Sequence, residues 1–168
     1  IMAKVLDFFR KSIKDTADAR HYGVLEKVSL FKNLSKSELN LLKDFFLQRK
    51  YQKNEVIFQE GFPSVVLYVV CSGKVQVYKE VEGEILILHE MGANAYFGEM
   101  GLFIQMRRTA SIRALEDAVL LAISKEDFYD FIERFPRAGV KVLSNMGQSL
   151  CEVIEKMNRK LAEYATND

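Results

Sequence analysis

Apolar and polar positions change their period twice along the chain. Near the start, Val5, Leu6, Phe9 and Ile13 recur at helical spacing, with Lys4, Asp7, Arg10, Lys11 and Lys14 on the other side. This predicts an amphipathic helix over residues 1–23, one that either covers its own domain or docks on a partner chain. In NLSKSELNLLKDFF, Ser35 reads as an N-cap with Glu38 three positions on, followed by Leu39, Leu42, Phe45 and Phe46 as one apolar face.

From Glu55 to about Ile123 the period shortens. Runs rich in Val, Ile, Leu and Tyr alternate with turn residues, as in VVLYVVCSGKVQVYKEVEGEILILHEMGANAYF, where Gly73, Gly83, Gly92 and Asn94 supply the turns. Closely spaced strands without an intervening helix predict antiparallel pairing in a sandwich, roll or barrel.

After Ser124 the helical period returns. SKEDFYDFIERFP reads as a short capped helix stopped near Pro136, and a long helix follows from about Ala138. Along it Leu143, Met146, Leu150, Val153 and Met157 recur at intervals of three and four, with Ile154 and Leu161 beside them. A seam of about two to three heptads serves equally for packing on its own domain or for pairing with a second copy.

Composition narrows the possibilities. The chain has 168 residues, 49% hydrophobic and 28% charged, a globular balance. Lys and Arg number 24 against 23 acids, so a net charge of +1 gives no broad footprint for nucleic acid or an anionic membrane. Cys71 and Cys151 lack the spacing of a disulfide framework or zinc site, and no apolar run reaches the roughly 18 residues of a membrane helix. A reducing, cytoplasmic setting is expected. His21 and His89 have no partner at metal-ligand spacing, and no nucleophile–base pair stands out, so neither an enzyme nor a metal protein is expected.

Chemistry concentrates in YFGEMGLFIQMRRTASIRA, residues 96–114, where Glu99 and Arg108 sit in a stretch otherwise apolar enough for a core. On one continuous helix, nine steps of about 100° would put them on opposite faces and ~13 Å apart along the axis. The residues between argue for a different path: Gly98 to Phe103 makes one or two helical turns, QMRR is polar, and TASIRA alternates like a strand. A short helix, a loop and a returning strand bring both residues to one concavity, with Arg108 on the inward face shared by Ala110, Ile112 and Ala114.

An inward guanidinium without an anion is costly. A phosphate answers it: backbone N–H groups around Gly98 to Gly101 point toward such a ligand, and Arg108 adds a planar fork. Glu99 is repelled by phosphate but suits neighbouring sugar hydroxyls. Arg107 and Arg113 are expected to face solvent, and Cys71 and Cys151 to be buried. Reading RRTAS as a kinase-substrate motif around Ser111 conflicts with its place in a strand.

The stretch resembles the phosphate-binding cassette of the cyclic nucleotide-binding domain family, shared by catabolite-activator-like regulators, cyclic-nucleotide-dependent kinases and cyclic-nucleotide-gated channels. The channel version, with FGE before RRTAS, is most similar. The likeness runs over about residues 24–157 and includes LEKVSLFKNLSKSELNLL, EGFPSVVLYVVCSGKVQVY and FIERFP. It departs at Gly61–Phe62, where the family commonly has GD or GE, and at Asn94, in place of a frequent glycine.

The resemblance implies a mainly β, α+β fold: an antiparallel β-roll or jelly roll over 24–136, with its cassette at 97–110, flanked by N-terminal helices and a C-terminal lid or dimerisation helix over 137–168. It implies that Arg108 holds a cyclic phosphate, that Glu99 accepts from the ribose 2′-hydroxyl, and that the backbones of Gly98, Met100, Gly101 and Ala110 donate to either. Thr109 would add a hydroxyl. Val77 and Met91 would line the base pocket, with His89 on the same face, and Val153 would close over the base, supported by Leu150 and Met157.

The implied ligand is cAMP or cGMP, with no cofactor, and binding would shift the placement of the helices after Ser124 toward an unknown effector. Two alternatives stay open: the ligand-sensing part of a catabolite-activator-like regulator without its helix-turn-helix, since about ten residues follow Met157, or a structural dimerisation module.

Overall fold

The computed structural model describes residues 22–165, so the amphipathic pattern from Val5 to Ile13 and His21 lie outside the described residues. Two 3₁₀ turns, Gly23–Lys27 and Ser29–Phe31, lead into α1 (Lys36–Lys43). Ser35 caps α1 reciprocally. Its Oγ accepts from the Glu38 N–H at 3.2 Å, and the Glu38 carboxylate accepts from the Ser35 N–H at 2.6 Å. The helix ends at Lys43, so Phe45 and Phe46 reach the core from the segment beyond it.

Eight antiparallel strands follow: β1 (Leu47–Tyr51), β2 (Val56–Phe58), β3 (Val66–Ser72), β4 (Val75–Val81), β5 (Glu84–Met91), β6 (Tyr96–Phe97), β7 (Ser111–Ala114) and β8 (Ala118–Ser124). They form two sheets, ordered β1-β8-β3-β6 and β2-β7-β4-β5. The expected β-roll is therefore present, but it starts earlier than the sequence pattern indicated. Gln48, Arg49 and Lys50 in β1 carry long polar side chains that hide any apolar alternation.

Alternation in the strands divides the interior into two cores. In β3, Leu67 and Val69 face the helices together with Leu121 and Ile123 of β8, while Val66, Tyr68 and Val70 face the other sheet together with Leu120 and Ala122. Arg113 was expected in solvent. It is instead half-buried, because its β4 neighbour Gln76 accepts from its Nη2 at 2.8 Å and the guanidinium lies 5.0 Å from the Tyr78 ring centroid.

Among the described residues three more helices are formed: α2 (Met100–Phe103), α3 (Lys125–Arg134) and α4 (Pro136–Ala165). Ser124 caps α3 by accepting from the Asp127 N–H at 3.0 Å. Pro136 both ends α3 and opens α4, where a missing N–H costs nothing.

The seam read along α4 divides in two. Val142 and Met146 are buried, whereas Cys151 to Ala165 are all exposed. Cys151 therefore does not join the core, because α4 leaves the body of the domain after the half-buried Leu150; Cys71, on β3, is half-buried.

Candidate functional site

Arg108 precedes β7, and its backbone is tied on both sides to residues before β3: its N–H donates to Phe62 O at 2.7 Å, and its carbonyl accepts from the Gly61 N–H at 2.9 Å. The chain thus returns antiparallel to the 61–63 segment, and this turn brings Arg108 back to Glu99 across a short helix and a loop. Its side chain points inward, with the residue only 7% exposed.

Three features define its surroundings. Nη2 donates to Val66 O at 2.8 Å, and the guanidinium carbon stands 4.0 Å from the Phe58 ring centroid. Nε is buried and has no hydrogen-bond partner among the described residues. Among the described residues, no carboxylate forms an ion pair with it. Burial pulls the guanidinium pKa down, with Tyr68 and Glu99 opposing, yet an arginine stays protonated near neutrality. The result is a fixed positive charge whose hydrogen-bonding capacity the protein only partly uses.

This charge borders a hollow of about 270 Å³. Of the residues singled out from sequence, Val77, His89, Met91, Gly98, Glu99, Met100, Arg108, Thr109 and Ala110 line it. Gly101 lies behind the wall: a Cβ there would run into the backbone carbonyl and Oγ of Ser64. Gly98 has φ of 87°, and a Cβ would meet Val66 O at 2.6 Å and crowd Arg108 Nη1. Glycine at both positions lets the cassette sit directly on β3 and on the guanidinium.

Val153 is not in the wall; it stands on the outer part of α4 at 52% exposure. Leu150 is half-buried and Met157 exposed on the same helix. Sequence reasoning missed Phe58, Ser64, Tyr96, Phe97 and Met106 as lining residues. Tyr96, Phe97 and Met106 lay within the stretch singled out, but Tyr96 and Phe97 are neighbours on one strand, so β alternation alone does not place both in the wall. Phe58 and Ser64 come from segments distant in sequence and become neighbours only through β2–β7 pairing and the Pro63–Arg107 bridge.

Two antiparallel four-stranded sheets, a one-turn helix that leads from a glutamate, and a buried arginine returning beside it define a class of ligand-sensing domain. The chain belongs to the cyclic nucleotide-binding domain family, whose description matches residues 48–135.

It is 32% identical over 139 residues to the cyclic AMP receptor protein of Thermus thermophilus, covering 82% of this chain and 64% of that protein. It is 30% identical over 135 residues to cGMP-dependent protein kinase 2 of Mus musculus, covering 77% of this chain and 18% of the kinase. The crystal structure of the Thermus thermophilus catabolite activator protein aligns with a TM-score of 0.73 at 32% identity, over 82% of this chain and 63% of that one. The N-terminal domain of a transcriptional regulator from Streptomyces coelicolor A3(2) aligns with a TM-score of 0.72 at 27% identity, over 77% of this chain and 94% of that one. The chain thus spans less than two thirds of either sequence relative. Among the described residues no helix is long and apolar enough to cross a membrane.

Proposed function

We propose that the chain is a non-catalytic, cytoplasmic sensor module that binds cAMP or cGMP and changes the placement of its C-terminal helices when it does so. One observation carries this reading: a buried guanidinium facing a hollow, with no carboxylate partner and no hydrogen bond to Nε among the described residues. A cyclic phosphate is a monoanion of the size and charge that completes such a group.

In this reading Arg108 holds the phosphate, Glu99 accepts from the 2′-hydroxyl, and the backbones of Gly98, Met100, Gly101 and Ala110 donate to phosphate or ribose. Thr109 adds its hydroxyl, and Val77 and Met91 pack on the base. Val153 closes over the base only after α4 moves, since here it is outside the wall. The roll at 24–136 is the binding unit, and the helix from 137 onward is the responding one. The exposed stripe Val153, Ile154, Met157 and Leu161 supports pairing of two copies through α4. The likeness to the Streptomyces regulator domain favours a second reading for the parent protein, the ligand-sensing part of a transcription regulator.

Titration calorimetry with cAMP, cGMP and a 5′-monophosphate tests the proposal. Binding of at least one cyclic nucleotide at one per chain is expected, weakened about 10- to 100-fold in Arg108→Ala. Failure of both cyclic nucleotides to bind the unaltered protein refutes it.

A further inference from the structure

Among the described residues, side-chain hydrogen bonds hold α4 at four places along its first half. Lys141 donates to the Glu38 carboxylate at 2.8 Å, Asn145 Nδ2 donates to Lys32 O at 2.7 Å, Lys32 Nζ donates to Gln148 Oε1 at 2.9 Å, and the hydroxyls of Tyr96 and Ser149 share a hydrogen bond of 2.6 Å. The first three run to residues between 30 and 38, which do not line the hollow. Among the described residues, Tyr96 is the one hollow-lining residue that hydrogen-bonds a side chain of α4.

Position adds to this distinction. Among the described residues, Ser149 ties α4 to the roll just before its exposed stretch, since every residue from Cys151 to Ala165 is exposed. Tyr96 stands two residues before Gly98 and three before Glu99, on β6, whose backbone pairs with Val69 of β3. A ligand that engages Gly98 and Glu99 therefore acts on a short, stiff segment whose other end grips α4.

We propose that the Tyr96–Ser149 hydrogen bond is a latch that stabilises the observed outward placement of α4 and is released when the hollow is filled. Its coupling to ligand rests on the cyclic nucleotide reading; its grip on α4 does not. The latch stabilises a placement in which Val153 stays away from the hollow, so removing it raises the population of the placement that binds more tightly. The apparent Kd falls by the same factor. For one neutral hydrogen bond that factor is about fivefold.

The test uses Tyr96→Phe, Ser149→Ala and the double variant, with calorimetric titration of cAMP and cGMP and with hydrogen exchange along α4 in nucleotide-free protein. Tyr96→Phe keeps the aromatic wall, and Ser149 is outside the wall, so neither deletes a proposed ligand contact. Each single variant is expected to bind about fivefold more tightly and to exchange faster around residue 149, and the double variant is expected to match the singles because only one bond is lost.

Unchanged or weaker binding in Ser149→Ala overturns the coupling. A change confined to Tyr96→Phe overturns it too, since Tyr96 would then act only as wall. If the unaltered protein binds neither nucleotide, the sensor reading and the coupling both fall. Exchange alone then decides the grip: faster exchange in both variants supports it, and unchanged exchange removes it.

Discussion

The carbonyl of Val66, the first residue of β3, accepts a hydrogen bond of 2.8 Å from Nη2 of Arg108, a residue 42 positions further along the chain. This bond fixes one arm of the guanidinium against the sheet while Nε stays buried and, among the described residues, unbonded, so the charge is held in place without a carboxylate of those residues to neutralise it.

Such a group costs stability in the ligand-free fold, which separates folding from binding. Arg108→Met keeps side-chain length and removes the buried charge, so it is expected to raise the unfolding free energy by about 1 kcal/mol while losing cyclic nucleotide binding. Urea unfolding and calorimetry on the same preparation check both halves. A variant that is destabilised by several kcal/mol would mean that Arg108 serves the fold rather than the ligand.

Gly98→Ala should be costly on two counts, a left-handed φ of 87° and a Cβ that meets Val66 O at 2.6 Å. A loss of about 1–3 kcal/mol is expected, together with weaker binding, because the displaced backbone takes Glu99 and Arg108 out of register. Gly61→Ala shares a φ of 82° but meets nothing within 4 Å, so it isolates the backbone strain from the collision. Thermal unfolding of the two variants gives the difference.

Methionines on α4 separate its packed half from its projecting half. Met146 is 1% exposed in the helix-side core and Met157 is 58% exposed, although both belong to one apolar seam in sequence. Met146→Ala is expected to cost about 2–5 kcal/mol by leaving a cavity, and Met157→Ala about 0.5 kcal/mol or less in the monomer. If α4 pairs two copies, Met157→Glu shifts the sedimentation coefficient toward monomer at unchanged monomer stability, and an unchanged coefficient counts against the pairing.

Glu38 makes the fold pH-dependent. Its hydrogen bond from Lys141, then that from the Ser35 N–H, hold its carboxyl below the ordinary value of 4.5. A depressed folded pKa contributes stability that is present above the ordinary carboxylate range and is lost as pH falls through the folded value. The unaltered protein should therefore lose more stability than Glu38→Gln does as pH falls from neutral through the ordinary carboxylate range and below it. Equal losses in the two proteins, followed by denaturant titration, would count against this contribution.

Local signals in the sequence determined much of this protein. Ser35 and Ser124 marked two helix starts because a capping hydroxyl and the N–H it accepts from lie three residues apart, and Pro136 marked a helix boundary because it lacks an N–H. Alternation placed Ala110, Ile112 and Ala114 on the inward face with Arg108, and FGE followed by RRTAS pointed to the family. These features depend on short-range geometry, which a residue pattern records directly.

Tertiary structure alone decided the rest. Strand β1 was hidden by its polar side chains, and Phe58 and Ser64 joined the wall through pairings that span about fifty residues of sequence. The apolar repeat on α4 is continuous from Leu143 to Met157, yet only its first part is covered. A periodic face states that a helix can pack, but where the packing stops depends on how far the roll and the N-terminal turns extend beside it. The Tyr96–Ser149 contact belongs to the same class: neither residue announces a partner 53 positions away, and only the folded chain brings the two hydroxyls together.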